Sequence, residues 1–219
     1  MSPPLPPALR RLAPDRLRHD PRLRALAVGA GLIPPRTMHT DEEAQLLTKL
    51  ARGRDQVVEI GVYEGSSALV LLRALGPQAT LHLIDPFGHQ PGALRAGWAA
   101  TEGATKRVVA RAAGHGSPRV QWHIERSEDA GRRWSEPVDL VFVDGDHTEE
   151  GCALDWELWH PHVSPGGHIV FHDARTAPGS PPGLAGPTAV VDRLFRDRVT
   201  RGWELVHEVD RAVAVRRVR

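Results

Sequence analysis

The stretch Val57-Val-Glu-Ile-Gly-Val-Tyr-Glu-Gly-Ser-Ser-Ala-Leu-Val-Leu-Leu72 decides the fold. Its apolar, β-branched start reads as a buried strand, and the residues from Ser66 onward carry helical spacing. Between them lies a turn with glycines at Gly61 and Gly65, and Glu59 stands near the strand's end. A strand that feeds a helix through such a turn aims free backbone N–H groups at whatever lies above the strand ends, which makes it a ligand cradle. The spacing is Glu-x-Gly-x-x-x-Gly, not the Gly-x-Gly-x-x-Gly that holds a dinucleotide pyrophosphate. A carboxylate here would repel a pyrophosphate and attract an ammonium group. The turn therefore disfavours an NAD-dependent oxidoreductase.

Outward from this unit the same alternation continues. Thr40-Asp-Glu-Glu43 is a capping box that opens a helix over 41–52. Strands are expected over 57–60, 80–84, 119–124, 138–143 and 168–171. Helices are expected over 66–75, after Ser127, over 148–160 and over about 189–198. Residues 91–113 read as a long helical or lid-like region broken at Gly103, and 176–188 as a Pro/Gly loop. Strands over 203–209 and 212–218, joined at Asp210-Arg211, close the chain. The pattern predicts an α/β fold: a doubly wound, Rossmann-like, seven-stranded, mostly parallel sheet with an antiparallel C-terminal β-hairpin. It forms one domain over 37–219. Residues 1–36 form an N-terminal arm, loose over its first twenty or so residues or holding a second subunit, which suits a homodimer.

At 219 residues the chain can bury a core without staples, and its formal charge of +1 gives no electrostatic reason to expect nucleic acid. No apolar run is long enough to cross a membrane, and prolines and charges interrupt the N-terminus, so no signal-peptide core is expected. The lone cysteine, Cys152, suits a reducing cytoplasm and reads as a packed small residue.

Ligands of such sheets sit beyond the carboxyl ends of the strands. Those ends read Glu59, Asp85, Ser127, Asp144 and Asp173, and four of the five are acidic. Acids in such a place call for a partner with donors or positive charge. Asp85, before a proline, suits a turn as well as a ligand, and Ser127 suits the N-cap of a short helix. A carboxylate ending the second strand is a general way to grip a ribose diol.

Four segments in register, Glu59-Ile-Gly-x-x-x-Gly65, Leu83-Ile-Asp85-Pro-Phe, Val138-Asp-Leu-Val-Phe-Val-Asp144-Gly-Asp-His147 and Pro165-Gly-Gly167, resemble a class I S-adenosylmethionine-dependent methyltransferase. The resemblance covers residues 38–219. It implies S-adenosyl-L-methionine as cofactor, with Glu59 holding the methionine ammonium directly or through water. Backbone at Gly61 and Gly65 and the start of the helix at Ser66 would pass close to it. Asp85 would take the ribose hydroxyls, Ser127 would lie near the adenine, and Met38 would flank the cofactor. Asp144 would border the same pocket.

Phe142–Gly151, Asp155-Trp-Glu-Leu-Trp159 and Phe171-His-Asp173 narrow the likeness to macrocin-type and catechol-type O-methyltransferases. That branch implies a divalent metal, Mg²⁺ or Mn²⁺, on Asp144 and Asp173. Relatives often carry a second acid or amide beside the last ligand, whereas here Asp173 is flanked by His172 and Ala174, and His172 could bind Mn²⁺ or act as a base without metal. The branch also implies a base at His147 or Asp146. A neutral imidazole is suited to that work, whereas the bland reading of His147 is a first-turn or cap residue of the next helix. The expected acceptor is a hydroxylated small molecule, a natural product or a sugar. Other readings are a nucleic-acid or protein methyltransferase and a cofactor-binding pseudoenzyme. Trp156 and Trp159 read as core, and Trp98 as an aromatic that could touch substrate.

Overall fold

The computed structural model describes residues 20–88, 96–176, 178–179 and 182–219; of residues 96–100 only the backbone is described. The expectations for Trp98 as a substrate contact and for the arm before Asp20 fall outside the described residues.

The described residues form a seven-stranded sheet from β1 (Gln56–Ile60), β2 (Thr80–Ile84), β3 (Arg119–His123), β4 (Val138–Val143), β5 (Val163–Phe171), β6 (Trp203–Val209) and β7 (Ala212–Arg217). Their order is β3-β2-β1-β4-β5-β7-β6. The first five are parallel, and β7 runs antiparallel to both neighbours. The order reverses between β1 and β4, so the crevice for a ligand opens above their carboxyl ends.

Helices α1 (Pro21–Gly29), α2 (Asp41–Ala51), α3 (Ser66–Ala74), α4 (Ala96–Ala112), α5 (Ser127–Arg133), α6 (Glu149–Trp159) and α7 (Ala185–Val191) cover the sheet. Leu46, Leu50, Leu71, Leu72 and Val109, from α2, α3 and α4, pack on one face. Ala130, Cys152, Trp156, Trp159 and Val190, from α5, α6 and α7, pack on the other. Both tryptophans of α6 are buried, as their three-residue spacing predicts. Burial pushes the Cys152 thiol up to about 12, which leaves it unreactive.

Three elements depart from the expectation by more than a one-residue shift at an end. Helix α4 runs through Gly103 without a break. Strand β5 begins at Val163 rather than 168, because the Ser164–Gly167 turn is a bulge inside the ladder: Val163 pairs with Val138, and pairing resumes at His168 with Leu140. Helix α7 opens at Ala185, inside the Pro/Gly segment, and ends in a π-turn over Asp192–Arg196.

Two contacts tie the start of the described chain to the cradle. Asp20 caps α1, which packs on α4. From α1, Arg24 binds Glu64 through two hydrogen bonds of 2.6 and 2.7 Å, and the Arg36 N–H donates to the same carboxylate at 2.6 Å. Glu64 lies within the glycine turn, so the segment leading to Met38 is drawn over the crevice.

Candidate active site

The crevice is a cavity of about 650 Å³, of the size that takes a cofactor. Met38, Gly61, Ser66, Asp85, Ser127, Asp144, Asp146, His147, His172 and Asp173 all line it. Glu59 and Gly65 lie behind its wall.

Gly61 has φ +84°, and a Cβ there would stand 2.1 Å from the Asp144 carbonyl oxygen. Only glycine allows the end of β1 to approach the β4 turn so closely. The turn is held open by Asp85. Its Oδ2 accepts the N–H groups of Val62 and Tyr63 at 2.9 and 2.8 Å, and its Oδ1 accepts that of Phe87 at 2.7 Å. Asp85 is thus both a turn residue and a wall of the cavity. Burial raises its pKa against these three donors.

Glu59 is fully buried. Its Oε1 accepts from the Ser67 hydroxyl, and its Oε2 has no partner among the described residues. Burial drives its pKa well up, and the nearby Asp144 and Asp85 add to the shift. A buried acid with an orphan oxygen is an incomplete arrangement, and one that a cation would complete.

At the far end, Ser127 is the first residue of α5 rather than its cap; Arg126 occupies the cap position. The Ser127 hydroxyl points instead at Asp155, at 2.5 Å. Likewise Thr148, not His147, caps α6. Asp146 Oδ1 accepts the Thr148 N–H at 2.9 Å, so Asp146 shapes the turn while standing exposed at the cavity wall.

The acids of β4 and β5 meet in one charged cluster. His172 Nδ1 lies 2.9 Å from Asp144 Oδ1, and its Nε2 lies 3.3 Å from Glu43 Oε2. His147 Nε2 is 3.3 Å from both Asp144 Oδ1 and Asp173 Oδ2. Arg211 Nη1 donates to Asp173 Oδ1 at 2.6 Å, and its other amino group donates to the Met38 carbonyl. Asp173 itself has φ +52°, a left-handed backbone that a non-glycine residue keeps only when its surroundings hold it.

Burial would lower the His172 pKa, but its bonds to Asp144 and Glu43 raise it to about 10. Asp144 and Asp173 raise His147 to about 9. The expectation of a neutral His147 imidazole at pH 7 therefore fails for this arrangement: its two carboxylate partners keep it protonated. Conversely, burial would raise Glu43, yet His172 and the N–H groups of Thr40 and Arg211 hold it near 2.

Sequence reasoning missed Glu43 and Arg211. Glu43 is part of the capping box the sequence announces, its Oε2 accepting the Thr40 N–H at 2.8 Å. The same side chain supports His172 and the Arg211 N–H, the latter at 2.9 Å. Arg211 reads as a hairpin connection, and no local pattern signals that it faces Asp173.

Residues 58–174 match a family described as a methyltransferase domain. The chain belongs to that family. A crystal structure of a protein from Corynebacterium glutamicum aligns with 96% of this chain and 97% of its own, at a TM-score of 0.62 and 20% identity. The O-methyltransferase TomG from Streptomyces achromogenes, solved in complex with S-adenosylmethionine and involved in tomaymycin synthesis, aligns over 90% of this chain and 89% of its own, at a TM-score of 0.60 and 20% identity. Uncharacterized protein R132 of Acanthamoeba polyphaga mimivirus is 39% identical over 44 residues, which is 20% of each chain. The chain thus spans a fifth of that curated relative's length. The fold is that of class I S-adenosylmethionine-dependent methyltransferases, as the sequence resemblance implies. Among the described residues no helix is long and apolar enough to cross a membrane.

The methyltransferase domain's charged cluster makes a testable contribution to stability. The folded-state values of His172 and His147 lie above the ordinary histidine value, so their stabilisation is complete below about pH 6.5 and is lost as pH rises through 9 and 10. In EDTA, the urea midpoint of the wild type is expected to fall between pH 7.5 and 10.5. His172→Gln should start lower and fall less. Parallel pH curves would show that the cluster does not stabilise through charge.

Proposed function

We propose that the methyltransferase domain transfers a methyl group from S-adenosylmethionine to the hydroxyl of a small molecule, such as a natural product or a sugar. The observation that carries this reading is Glu59: a buried acid with an unpaired oxygen, behind the floor of a cavity of about 650 Å³. Ionised, it would supply negative charge where a methionine ammonium would rest; burial opposes that ionisation, and the ammonium would favour it. Asp85 offers lone pairs to a ribose diol while its three N–H donors fix its position. The O-methyltransferase identity of TomG supports oxygen as acceptor atom. The near-neutral charge favours a small acceptor over nucleic acid.

Transfer runs in line from sulfonium to oxygen, so most of the protein's work is orientation. Asp144, Asp173 and His147 line the reacting side, and the acceptor hydroxyl must shed its proton as the new bond forms. Protonated His147 donates a hydrogen bond to the acceptor, and Asp146, exposed beside it, receives the proton.

In a second state the cluster's donor set also fits a divalent ion, which would displace the protons that His147 and His172 otherwise hold. One ligand atom each from Asp144, His147, His172 and Asp173 lies within 4.8 Å of the others. Glu43 on Nε2 turns His172 Nδ1 toward them, the way a ligating imidazole is normally held. Mixed imidazole and carboxylate donors suit Mn²⁺ better than Mg²⁺, which prefers oxygen. When bound, the ion would lower the pKa of the acceptor hydroxyl.

Three measurements test this reading. Isothermal titration of the full chain with S-adenosylhomocysteine is expected to show binding that Glu59→Gln weakens on the order of tenfold or more. Equal affinities would remove Glu59 from the cofactor site, and no binding by the wild type would sink the proposal. Once an acceptor is found by screening hydroxylated metabolites, Asp146→Asn should lower kcat about 100-fold, and more than His147→Ala does. A larger loss in His147→Ala would move the base to that residue. Finally, Mn²⁺ should bind the EDTA-treated protein, read by its paramagnetic resonance signal, and Asp144→Asn should abolish binding. Full turnover in EDTA with no Mn²⁺ signal would leave a metal-free mechanism.

A further inference from the structure

On the buried face of α6, between Cys152 and the two tryptophans, stands an acid, Asp155. It is 2% exposed, in a stripe whose other members pack as core. Packing alone would favour an apolar residue there, because burying a carboxylate is costly unless its oxygens are satisfied. They are not. Oδ1 accepts from the Ser127 hydroxyl at 2.5 Å, and Oδ2 has no partner among the described residues. Burial, with Asp146 and Glu128 close by, raises the pKa of Asp155 to about 7, against the opposing effects of Ser127 and Arg126. The acid sits just behind the β4 turn: a Cβ on Gly145 would lie 3.8 Å from its Oδ2.

What Asp155 touches gives it a role. Ser127 lines the cavity beside Arg126 and Glu128, past the end of β3, and the neighbouring strand β2 presents Asp85. With the ribose at Asp85, the base of a nucleoside extends toward Ser127. A serine hydroxyl has one proton and two lone pairs. An ionised Asp155 can only accept, so it takes that proton and leaves Ser127 nothing but lone pairs for the cavity. A base edge that donates would be welcomed there, and one that only accepts would meet an unpaired, repelling oxygen.

We propose that Asp155 sets the hydrogen-bond polarity of the base-reading end of the cavity, so that the cavity takes a 6-amino purine and rejects a 6-oxo purine. Asp155 is a positioning residue that acts through Ser127. The inference rests on the reading of this cavity as the S-adenosylmethionine site. It goes beyond that reading by assigning the source of its base specificity.

The test is isothermal titration of the full chain at pH 8.5, where Asp155 is ionised, with S-adenosylhomocysteine and with S-inosylhomocysteine. These ligands differ at position 6 of the purine, an amino donor against an oxo acceptor, and in the opposite sense at N1. A preference for the adenosyl compound is therefore expected with Ser127 facing position 6, and a preference for the inosyl compound would overturn the proposal. The wild type is expected to prefer the adenosyl compound by about tenfold or more, since a wrongly poled buried contact is costly. Asp155→Leu, which restores an apolar residue to the stripe, should hold or raise the melting temperature while cutting that preference at least ~5-fold. A residue that merely supported the fold would do the opposite, losing melting temperature and leaving the preference intact. Ser127→Ala should cut the preference as well, and it decides the matter if the leucine variant does not fold. Equal affinity of the wild type for both ligands, or an unchanged preference in Ser127→Ala, would overturn the proposal. Binding of neither ligand by the wild type would instead remove the cofactor reading beneath it.

Discussion

A Cβ on residue 61 would lie 2.1 Å from the carbonyl oxygen of Asp144, and the site depends on that clearance. Strands β1 and β4 are hydrogen-bonded neighbours at the point where the strand order reverses. Any larger residue at 61 would push the glycine turn away from the β4 turn and separate the two halves of the crevice. With glycine at φ +84°, the chain leaves β1 close against β4, and Asp85 secures the turn by accepting two of its N–H groups. Glu59 and Ser67 are thereby brought to the same floor as Asp144. One steric condition thus helps make a single cavity out of the loops that follow five strands.

The acids so gathered need compensation, and the two ends of the crevice meet that need differently. On the β4–β5 side it is internal. Glu43, Asp144 and Asp173 interleave with His172, His147 and Arg211, drawn from α2, the two strands, the loop after β4 and the β6–β7 turn. The cluster ties α2 and the C-terminal hairpin to the centre of the sheet. On the β1 side Glu59 has only a serine, and one oxygen remains unmatched. Glu59 is thus left short of positive charge, and the β1 end of the crevice suits a cationic ligand.

Much of this was legible in the chain because strand periodicity and turn chemistry are local. The runs at 80–84 and 138–143 match β2 and β4 residue for residue, since buried parallel strands are continuous apolar segments. The acids at the strand ends could be listed because topology, not contact detail, brings them together. What stayed hidden was pairing across sequence. Glu43 satisfies a capping box, and that local sufficiency masked its contact with His172, 129 residues away. Arg211 lies in a two-residue connection with no pattern of its own. Ser127 looked like a cap because serine so often is one, yet its proton goes to Asp155. Helix α7 starts earlier than the pattern predicts because its first turn, Ala185-Gly-Pro-Thr188, is rich in helix breakers, although Pro187 lies in the first turn, where its missing N–H costs little.

The His147 reading shows how a local argument can reverse. Imidazole beside an acid is a familiar base, and the sequence places His147 three residues after Asp144. Once β5 brings Asp173 to the same nitrogen, two carboxylates share one imidazole and its pKa rises to about 9. A ring that holds its proton this firmly donates rather than accepts. In the proposed reaction, proton acceptance then falls to another group beside the acceptor. Among the described residues Asp146 accepts the Thr148 N–H of its own turn and lies near the Arg126 charge, and it is the base of the proposed reaction. In the proposed reaction, the cluster that neutralises Asp144 and Asp173 therefore also takes His147 out of the role of base.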